Sequence, residues 1–268
     1  MIRQSFLFVV LWLCCSVVLA QHGALDGEWS TYGGDLGHTR YSPLDQIKAE
    51  NFSDLEVAWR FKTDNLGPSP EYRFQATPLV VNGVMYTTAG SRRAVVALDA
   101  RSGELLWKYA LNEGARAANA PRQLSGRGLA LWQDGADTRI IYVTPGYQMI
   151  ALDGSTGRPV QSFGIEGIVD LKQNADQIID LETGEIGLHS TPIVANNVVI
   201  IGAAHRTGGN PRSRENVKGY VRGYDVRTGE RLWIFHTVPM PGEYGYESWQ
   251  DGSASYTGNT GVWAQISV

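Results

Sequence analysis

The sequence predicts an all-β fold built from repeated four-stranded units, and three observations support this. One short pattern recurs: Ala97–Trp107 reads A-L-D-x-x-S-G-E-x-x-W, Asp225–Trp233 reads D-x-x-T-G-E-x-x-W, and Ala151–Arg158 reads A-L-D-x-x-T-G-R and lacks the Trp. A second pattern, an apolar run with an Asn turn, lies upstream of two copies. The 268 residues include 31 Gly, 8 Trp and 12 Tyr, a composition typical of turn-rich β proteins with aromatic packing.

Each copy of the first pattern predicts a hairpin. Asp can accept hydrogen bonds from its own turn, and Gly supplies a positive φ without steric cost. Apolar strands are expected before the turns and Trp-bearing strands after two of them, with the Trp lying flat on the neighbouring sheet. The predicted strands before the turns are Ala94–Leu98, Ile140–Leu152 and Tyr220–Tyr224, and those after are Leu105–Tyr109 and Leu232–Phe235.

The upstream pattern predicts a second hairpin in each unit. Thr77–Tyr86 matches Thr191–Ile200, and the pairs Asn82-Gly83 and Asn196-Asn197 suit two-residue turns that need positive φ. A unit therefore has about four strands, the content of one β-propeller blade, and the chain holds about four blades' worth of sequence. The Gly103-to-Gly157 and Gly157-to-Gly229 spacings of 54 and 72 residues predict inserted loops at 164–188 and 206–218. Such loops can carry function or be decorations.

The two ends of the chain predict processing and a longer protein. Residues 1–20 read as a signal peptide with Val18-Leu19-Ala20 before the cleavage point, and a membrane anchor is the alternative. Both cysteines, Cys14 and Cys15, fall inside this segment, so residues 21–268 would form one propeller domain without cysteine. Gly261–Val268 begins a strand with no closing repeat, so we expect an N-terminal portion of a truncated domain. The net charge of −4 and the lack of a basic run argue against nucleic acid as a partner.

The repeat and several other segments resemble the quinoprotein glucose and alcohol dehydrogenases that use pyrroloquinoline quinone (PQQ). The matching segments are Tyr32–Asp35, Thr39–Leu44, Leu55–Trp59, Phe74–Leu79, Gly126–Trp132 and Gly219–Asp225. The resemblance implies an eight-bladed propeller with PQQ and Ca²⁺ (or Mg²⁺) on its axis. It further implies a periplasmic enzyme that oxidises a sugar or alcohol hydroxyl and passes electrons to ubiquinone, a cytochrome or another acceptor. No transmembrane segment is expected in the mature chain.

Two residues match the family's cofactor site well. Arg127 matches the arginine beside the quinone, and a guanidinium suits the carboxylates of PQQ. The alternative is a surface arginine paired with Asp134 or Asp137. Trp263 matches the tryptophan that lies flat under the PQQ ring, and the alternative is a further docking Trp of the repeat.

Three other residues match less well. Gln75 stands where the family usually has Glu, and His189 stands where many members have a hydroxyl residue, so a packing role for His189 is the alternative. Asn210 matches one oxygen ligand of the cation, although the adjacent acid is missing and a plain loop Asn is the alternative. The family's catalytic Asp lies downstream of Trp263, so the catalytic residue is unknown.

A second function class stays open at this point. Outer-membrane assembly scaffolds use similar docking repeats without PQQ and bind protein partners. The family's adjacent Cys pair is also absent here, because Pro121-Arg122 occupies the neighbourhood before Arg127. The axial candidates Arg127 and Trp263 favour the enzyme.

Overall fold

The computed structural model describes residues 23–24, 27–69, 71, 73–121, 123, 128–182, 185–206 and 215–268. It contains three four-stranded antiparallel sheets in chain order. The first holds β1 (Leu79–Val81), β2 (Val84–Ala89), β3 (Ala94–Asp99) and β4 (Leu105–Tyr109). The second holds β5 (Ala130–Asp134), β6 (Asp137–Val143), β7 (Gln148–Asp153) and β8 (Ile168–Asp170).

The third sheet holds β10 (Ile193–Ala195), β11 (Val198–Ile201), β13 (Val221–Asp225) and β14 (Arg231–Phe235). A separate ribbon joins β9 (Ile186–Gly187) to β12 (Ala204–His205). The described helices are short: α1 (Ala115–Ala118), α2 (Ser253–Tyr256) and 3₁₀ turns at Phe52–Asp54, Tyr246–Ser248 and Gln250–Gly252. None of the helices in the described ranges has the length and apolar character that crossing a membrane requires.

The predicted repeat architecture is confirmed, with three local corrections. The apolar run 140–152 is two strands, β6 and β7, separated by a turn at 144–147. The segments 55–59 and 261–268 form no strand. The copy of the pattern without Trp is followed by the short strand β8, which completes the second sheet.

The three Asp turns share one hydrogen-bond pattern. Asp99 Oδ1 accepts from the backbone N–H of Arg101 at 3.1 Å and of Ser102 at 2.7 Å. Asp153 and Asp225 accept in the same way from the second and third residues after them. The glycine that closes each turn has a φ of 67° to 74°, which a residue with a side chain rarely adopts.

Each closing glycine also gives a flat surface on which an indole ring packs. A Cβ built on Gly157 would lie 2.4 Å from the Trp107 ring, and one on Gly103 would lie 2.5 Å from the Trp59 ring. The Trp107 Nε1–H donates to Gly154 O at 2.9 Å, and the Trp59 Nε1–H donates to Ala100 O at 3.2 Å. The carbonyl that accepts is the one directly after the turn Asp in both cases. Tryptophan docking thus joins Trp59 to the first sheet and the first sheet to the second.

The contact between the second and third sheets lacks a docking Trp and uses an arginine instead. Val169 takes the place of the ring, since a Cβ on Gly229 would lie 2.6 Å from its Cγ2. The equivalent carbonyl, Val226 O, accepts from Arg139 Nη1 at 3.2 Å, and Arg227 O accepts from the same nitrogen at 2.7 Å. The guanidinium groups of Arg139 and Arg227 lie 5.4 and 4.7 Å from the Trp132 ring centre. Trp132 and Arg139 both belong to the second sheet, so the Arg227 contact is the one that adds to the attraction between the sheets.

β5 packs against β10, so the first strands of the second and third sheets lie side by side, as at the centre of a propeller. Strand direction alternates within each sheet. The segments that precede β1, β5 and β10 therefore share one rim with the β2–β3 and β6–β7 loops. We call this the loop rim, and we call the opposite rim, which carries the three Asp turns, the Asp rim. Apolar residues of neighbouring sheets fill the space between them, including Ile141, Met149, Val199 and Tyr224.

Replacing Arg139 should weaken the contact between the second and third sheets. Arg139→Met removes the donor to two carbonyls in a largely buried place, so we expect a loss of about 2 kcal/mol in the free energy of unfolding. Urea denaturation followed by circular dichroism measures it. Arg101→Met, at an exposed turn of the first sheet, is the matched control and should change stability by less than about 0.5 kcal/mol. Equal losses in both variants would contradict the bridging role.

We expect the three Asp turns to make the free energy of unfolding depend on pH in the acidic range. Hydrogen bonds from Ser102 lower the pKa of Asp99. Partial burial raises the pKa of Asp153 and Asp225, but their turn hydrogen bonds lower it by more, so the net shift is downward. A folded-state pKa below the unfolded value, about 3.9, stabilises the fold above that pH, and this stabilisation is lost as pH falls through the folded pKa.

We therefore expect Asp153→Asn to lower the urea midpoint at pH 6 and to approach the wild-type midpoint as pH falls below about 4. Asp45→Asn, at an exposed position, is the control and should track the wild type throughout. If the urea midpoints of wild type and Asp153→Asn differ by the same amount from pH 6 to pH 3, the negative charge of Asp153 does not stabilise the turn.

Candidate functional site

Two of the predicted site residues, Gln75 and His189, stand at equivalent places on the loop rim. Each comes four residues before the first strand of its sheet, which is β1 for Gln75 and β10 for His189. Gln75 is exposed and His189 is buried. Arg127 and Asn210 lie outside the described residues, so their predicted roles stay predictions.

The described neighbours of Arg127 bring the beginnings of β1 and β5 together. Gly128 has a φ of 115°, and a Cβ built on it would lie 3.1 Å from Thr77 O. Thr77 follows Gln75 by two residues. The backbone next to Arg127 therefore runs close to the backbone next to Gln75, as a shared site requires.

Trp263 lies beside His189 on the same rim. The two ring centres are 6.0 Å apart and the ring planes are inclined by 35°. The Trp263 side chain is 59% exposed, whereas His189 is 9% exposed. A buried imidazole thus lies next to an indole that is mostly exposed to solvent.

Two glycines let the Trp263 segment approach the end of β11. Ala203 N donates to Val262 O at 3.0 Å. A Cβ on Gly202 would lie 2.1 Å from Val262 O, and one on Gly261 would lie 2.3 Å from Ala203 O. No side chain fits at either place without moving the backbone. The segment 261–263 is thus positioned by close backbone contact and does not begin the strand that the sequence predicted.

The environment of Trp263 differs from that of the docking tryptophans. Trp59 and Trp107 each pack on a turn glycine and donate to a turn carbonyl. Within the described part of the chain, the Trp263 indole N–H makes no such bond. The alternative reading of Trp263 as another docking residue of these sheets is therefore not supported.

The two carboxylates considered as surface partners for Arg127 have other arginine partners. Asp134 pairs with Arg227 at 2.7 Å, and Asp137 pairs with Arg139 at 3.0 Å. Both pairs belong to the contact between the second and third sheets at the Asp rim, on the side away from the beginning of β5.

A cleft of about 270 Å³ opens on the loop rim between the first and second sheets. Arg92, Glu113, Gln123 and Thr144 are among the polar residues that line it. Glu113 accepts from Thr144 Oγ1 at 2.6 Å and from Gly146 N at 2.9 Å, so its carboxylate holds the β6–β7 turn. The cleft adds polar, accessible surface to the rim that carries Gln75.

Sequence patterns gave no reason to single out two ionisable residues on the loop rim, Glu71 and Arg93. Glu71 precedes Gln75 by four residues, and Arg93, in the β2–β3 loop, is 5% exposed. Burial lowers the pKa of Arg93 and raises that of Glu71. Gly90 N donates to Glu71 Oε2 at 2.7 Å, so the β2–β3 loop holds this carboxylate through a long-range contact that no local motif encodes.

The described groups on the loop rim suit a flat cofactor. An exposed indole, an imidazole and an amide stand on this rim, and such groups stack on and hydrogen-bond to a planar, oxygen-rich ring. No cluster of three or more His, Cys, Asp or Glu side chains that could hold a metal ion occurs among the residues described.

A family model described as the glucose/ethanol/alcohol dehydrogenase β-propeller domain, and named for PQQ, matches residues 29–268. This chain belongs to the PQQ β-propeller family. The match covers all three sheets and the Trp263 segment, and it confirms the resemblance carried by the repeats.

Individual relatives agree with the family match. The dehydrogenase subunit of a quinone alcohol dehydrogenase from Gluconobacter oxydans is 33% identical over 243 residues, which is 90% of this chain and 28% of the relative. The quinoprotein glucose dehydrogenase of Escherichia coli is 29% identical over 224 residues, 78% of this chain and 27% of the relative. The solved quinohemoprotein alcohol dehydrogenase ADHIIG from Pseudomonas putida superimposes with a TM-score of 0.67 at 31% identity, over 87% of this chain and 31% of that structure. The chain therefore spans less than a third of the length of these relatives.

Proposed function

We propose that this chain contributes blades and part of the cofactor site to a periplasmic PQQ-dependent dehydrogenase that oxidises an alcohol or sugar hydroxyl. The observation that carries the proposal is the exposed Trp263 side chain beside His189 on the rim where Gln75 precedes β1. The names of the relatives, which are quinone-dependent alcohol and glucose dehydrogenases, support the reaction class.

Each residue would have a distinct task in holding PQQ. Trp263 would stack on the ring, and its exposed face is the surface that a planar group needs. Gln75 would hydrogen-bond through its amide, and Arg127 would pair with a carboxylate. His189 would fix the tilt of Trp263 from a buried position. When bound, PQQ accepts the two electrons taken from the substrate C–H and O–H bonds.

A divalent cation, Ca²⁺ or Mg²⁺, is part of the proposal but not of the described site. Asn210, the residue proposed as a ligand, lies outside the described residues, and oxygen ligands from other parts of the protein would have to complete the site. We therefore assign no step of the reaction to the cation.

The remaining features of the proposal follow from the reaction class. The reduced cofactor must be reoxidised, so we propose an electron acceptor such as ubiquinone or a cytochrome. The signal peptide proposed for residues 1–20 would direct the protein to the periplasm, and cleavage would leave residues 21–268 as propeller domain.

PQQ binding should depend on Trp263. In the full-length gene product that contains this chain, Trp263→Ala removes the stacking surface, and we expect a loss of about 2 kcal/mol, or roughly 30-fold in Kd. Fluorescence titration with PQQ at a temperature where both proteins are folded measures it. Trp233→Ala, another partly exposed tryptophan, is the control and should leave the Kd unchanged. The same Kd for wild type and Trp263→Ala would refute the stacking role.

Dehydrogenase activity should appear when the full-length product is supplied with PQQ and Ca²⁺. We expect reduction of an artificial electron-accepting dye with at least one primary alcohol, polyol or aldose, and none without PQQ. If the protein binds PQQ and oxidises none of these substrates, the reaction class is wrong. If it does not bind PQQ and instead binds outer-membrane assembly proteins, the scaffold function replaces the enzyme.

A further inference from the structure

A chain of hydrogen bonds starts at a buried arginine of the third sheet and leads toward the Trp263 segment. Arg222, on β13, is 2% exposed. Its Nη2 donates to Tyr147 Oη at 3.0 Å, and the Tyr147 hydroxyl donates to Gly202 O at 2.8 Å. Because arginine has no acceptor atom, the Tyr147 hydroxyl hydrogen is left to point toward Gly202, and both bonds run in one direction.

One peptide group passes this chain on to Val262. The peptide that carries Gly202 O also carries Ala203 N, and Ala203 N donates to Val262 O at 3.0 Å. The carbonyl of Val262 in turn belongs to the peptide group of Trp263. Hydrogen bonds that are connected through one peptide group polarise one another, so the loss of the first weakens the next. We call the series of bonds from Arg222 to Val262 the hydrogen-bond relay.

The start of the relay is fixed at the contact between the second and third sheets. Arg222 Nη1 donates to Leu171 O at 2.7 Å, and the guanidinium carbon lies 5.5 and 5.8 Å from the ring centres of Tyr147 and Tyr224. Tyr147 is fully buried and has a φ of 65°, a left-handed conformation that a bulky residue rarely adopts. Backbone strain of this kind persists only where the surroundings enforce it, and it is frequent near binding sites.

The end of the relay lies where the backbone before Trp263 is closely packed. A Cβ on Gly202 would lie 2.1 Å from Val262 O. A Cβ on Gly219, just before β13, would lie 2.4 Å from Gly261 Cα. Residues 261–262 are therefore packed directly against the segments after β11 and before β13. The relay adds a directed hydrogen bond at the residue next to the indole.

We propose that Tyr147 and Arg222 are positioning residues that set the position of the Trp263 ring in the PQQ site. The inference rests on the proposed function, in which Trp263 stacks on the cofactor. Both residues act through the 202–203 peptide, whose N–H fixes the carbonyl next to Trp263. A stacking surface binds a planar ring best when it is held in place before the ring arrives, and supporting hydrogen bonds provide this preorganisation.

Tyr147→Phe tests the relay in the full-length protein, because it removes one oxygen atom and keeps the ring. Gly202 O loses its donor, so we expect faster amide hydrogen exchange, measured by mass spectrometry, in peptides that contain Ala203 and Trp263. We expect the Kd for PQQ, measured by fluorescence titration, to rise about fivefold, the factor that corresponds to one lost neutral hydrogen bond. Both measurements are made at a temperature where all variants are folded.

Tyr86→Phe is the matched control. The buried Tyr86 hydroxyl also donates to a backbone carbonyl, Gly154 O at 3.2 Å, but at the Asp rim. We expect this variant to lower the urea midpoint and to leave the PQQ Kd and the exchange near Trp263 unchanged. If Tyr147→Phe does not fold, Arg222→Lys gives the same comparison, because it keeps the charge and loses the planar fork that donates to two oxygens.

Each combination of results decides the proposal. Wild-type exchange and wild-type PQQ affinity in the folded Tyr147→Phe protein overturn the relay itself. Faster exchange with wild-type affinity overturns the positioning role, because the relay then holds the Trp263 segment without affecting the cofactor. If the wild-type protein does not bind PQQ, the proposed function fails and the positioning role fails with it, whatever the exchange shows.

Discussion

The contact that the rest of this fold depends on is an indole ring lying on the glycine of an Asp turn in the next sheet. Asp99 and Asp153 accept the turn's backbone N–H groups, which shapes the turn, and the closing glycine leaves room for the ring. The indole N–H of Trp107 then donates to the Gly154 carbonyl across the sheet boundary, and the Tyr86 hydroxyl donates to the same oxygen. One short pattern therefore encodes both the hairpin and its docking surface, which is why it repeats.

Sequence reasoning was reliable where structure is local. The turns at Asp99, Asp153 and Asp225, the Asn turns, and the Trp strands β4 and β14 all follow from residue types within about ten positions. It was wrong where the partner lies far away in the chain. The segment 261–268 has a strand-like composition, but its backbone makes isolated hydrogen bonds to distant segments instead of a ladder: Ala203 N donates to Val262 O, and Val268 N donates to Leu36 O.

The candidate site shows the same difference between what local sequence predicts and what only the folded chain reveals. The family pattern predicted His189 and Trp263 separately, and the structure places their rings 6.0 Å apart. Arg139 illustrates the opposite case. Nothing in its sequence context indicates that it takes over the carbonyl that an indole would pair with, because the function of Arg139 depends on Val226, 87 residues later. The replacement of an indole donor by an arginine that is distant in sequence can be seen only in the folded chain.

The two rims separate stability from binding. The Asp rim carries the repeated turns, the docking contacts and the Arg139 bridge, and its contacts join one sheet to the next. The loop rim carries Gln75, His189 and Trp263, on segments whose sequences differ from unit to unit. Because the sheets fix where each first strand begins, the side chains before β1 and β10 can vary without disturbing the docking contacts. A propeller of this design can therefore change what it binds at one rim while the opposite rim keeps the fold intact.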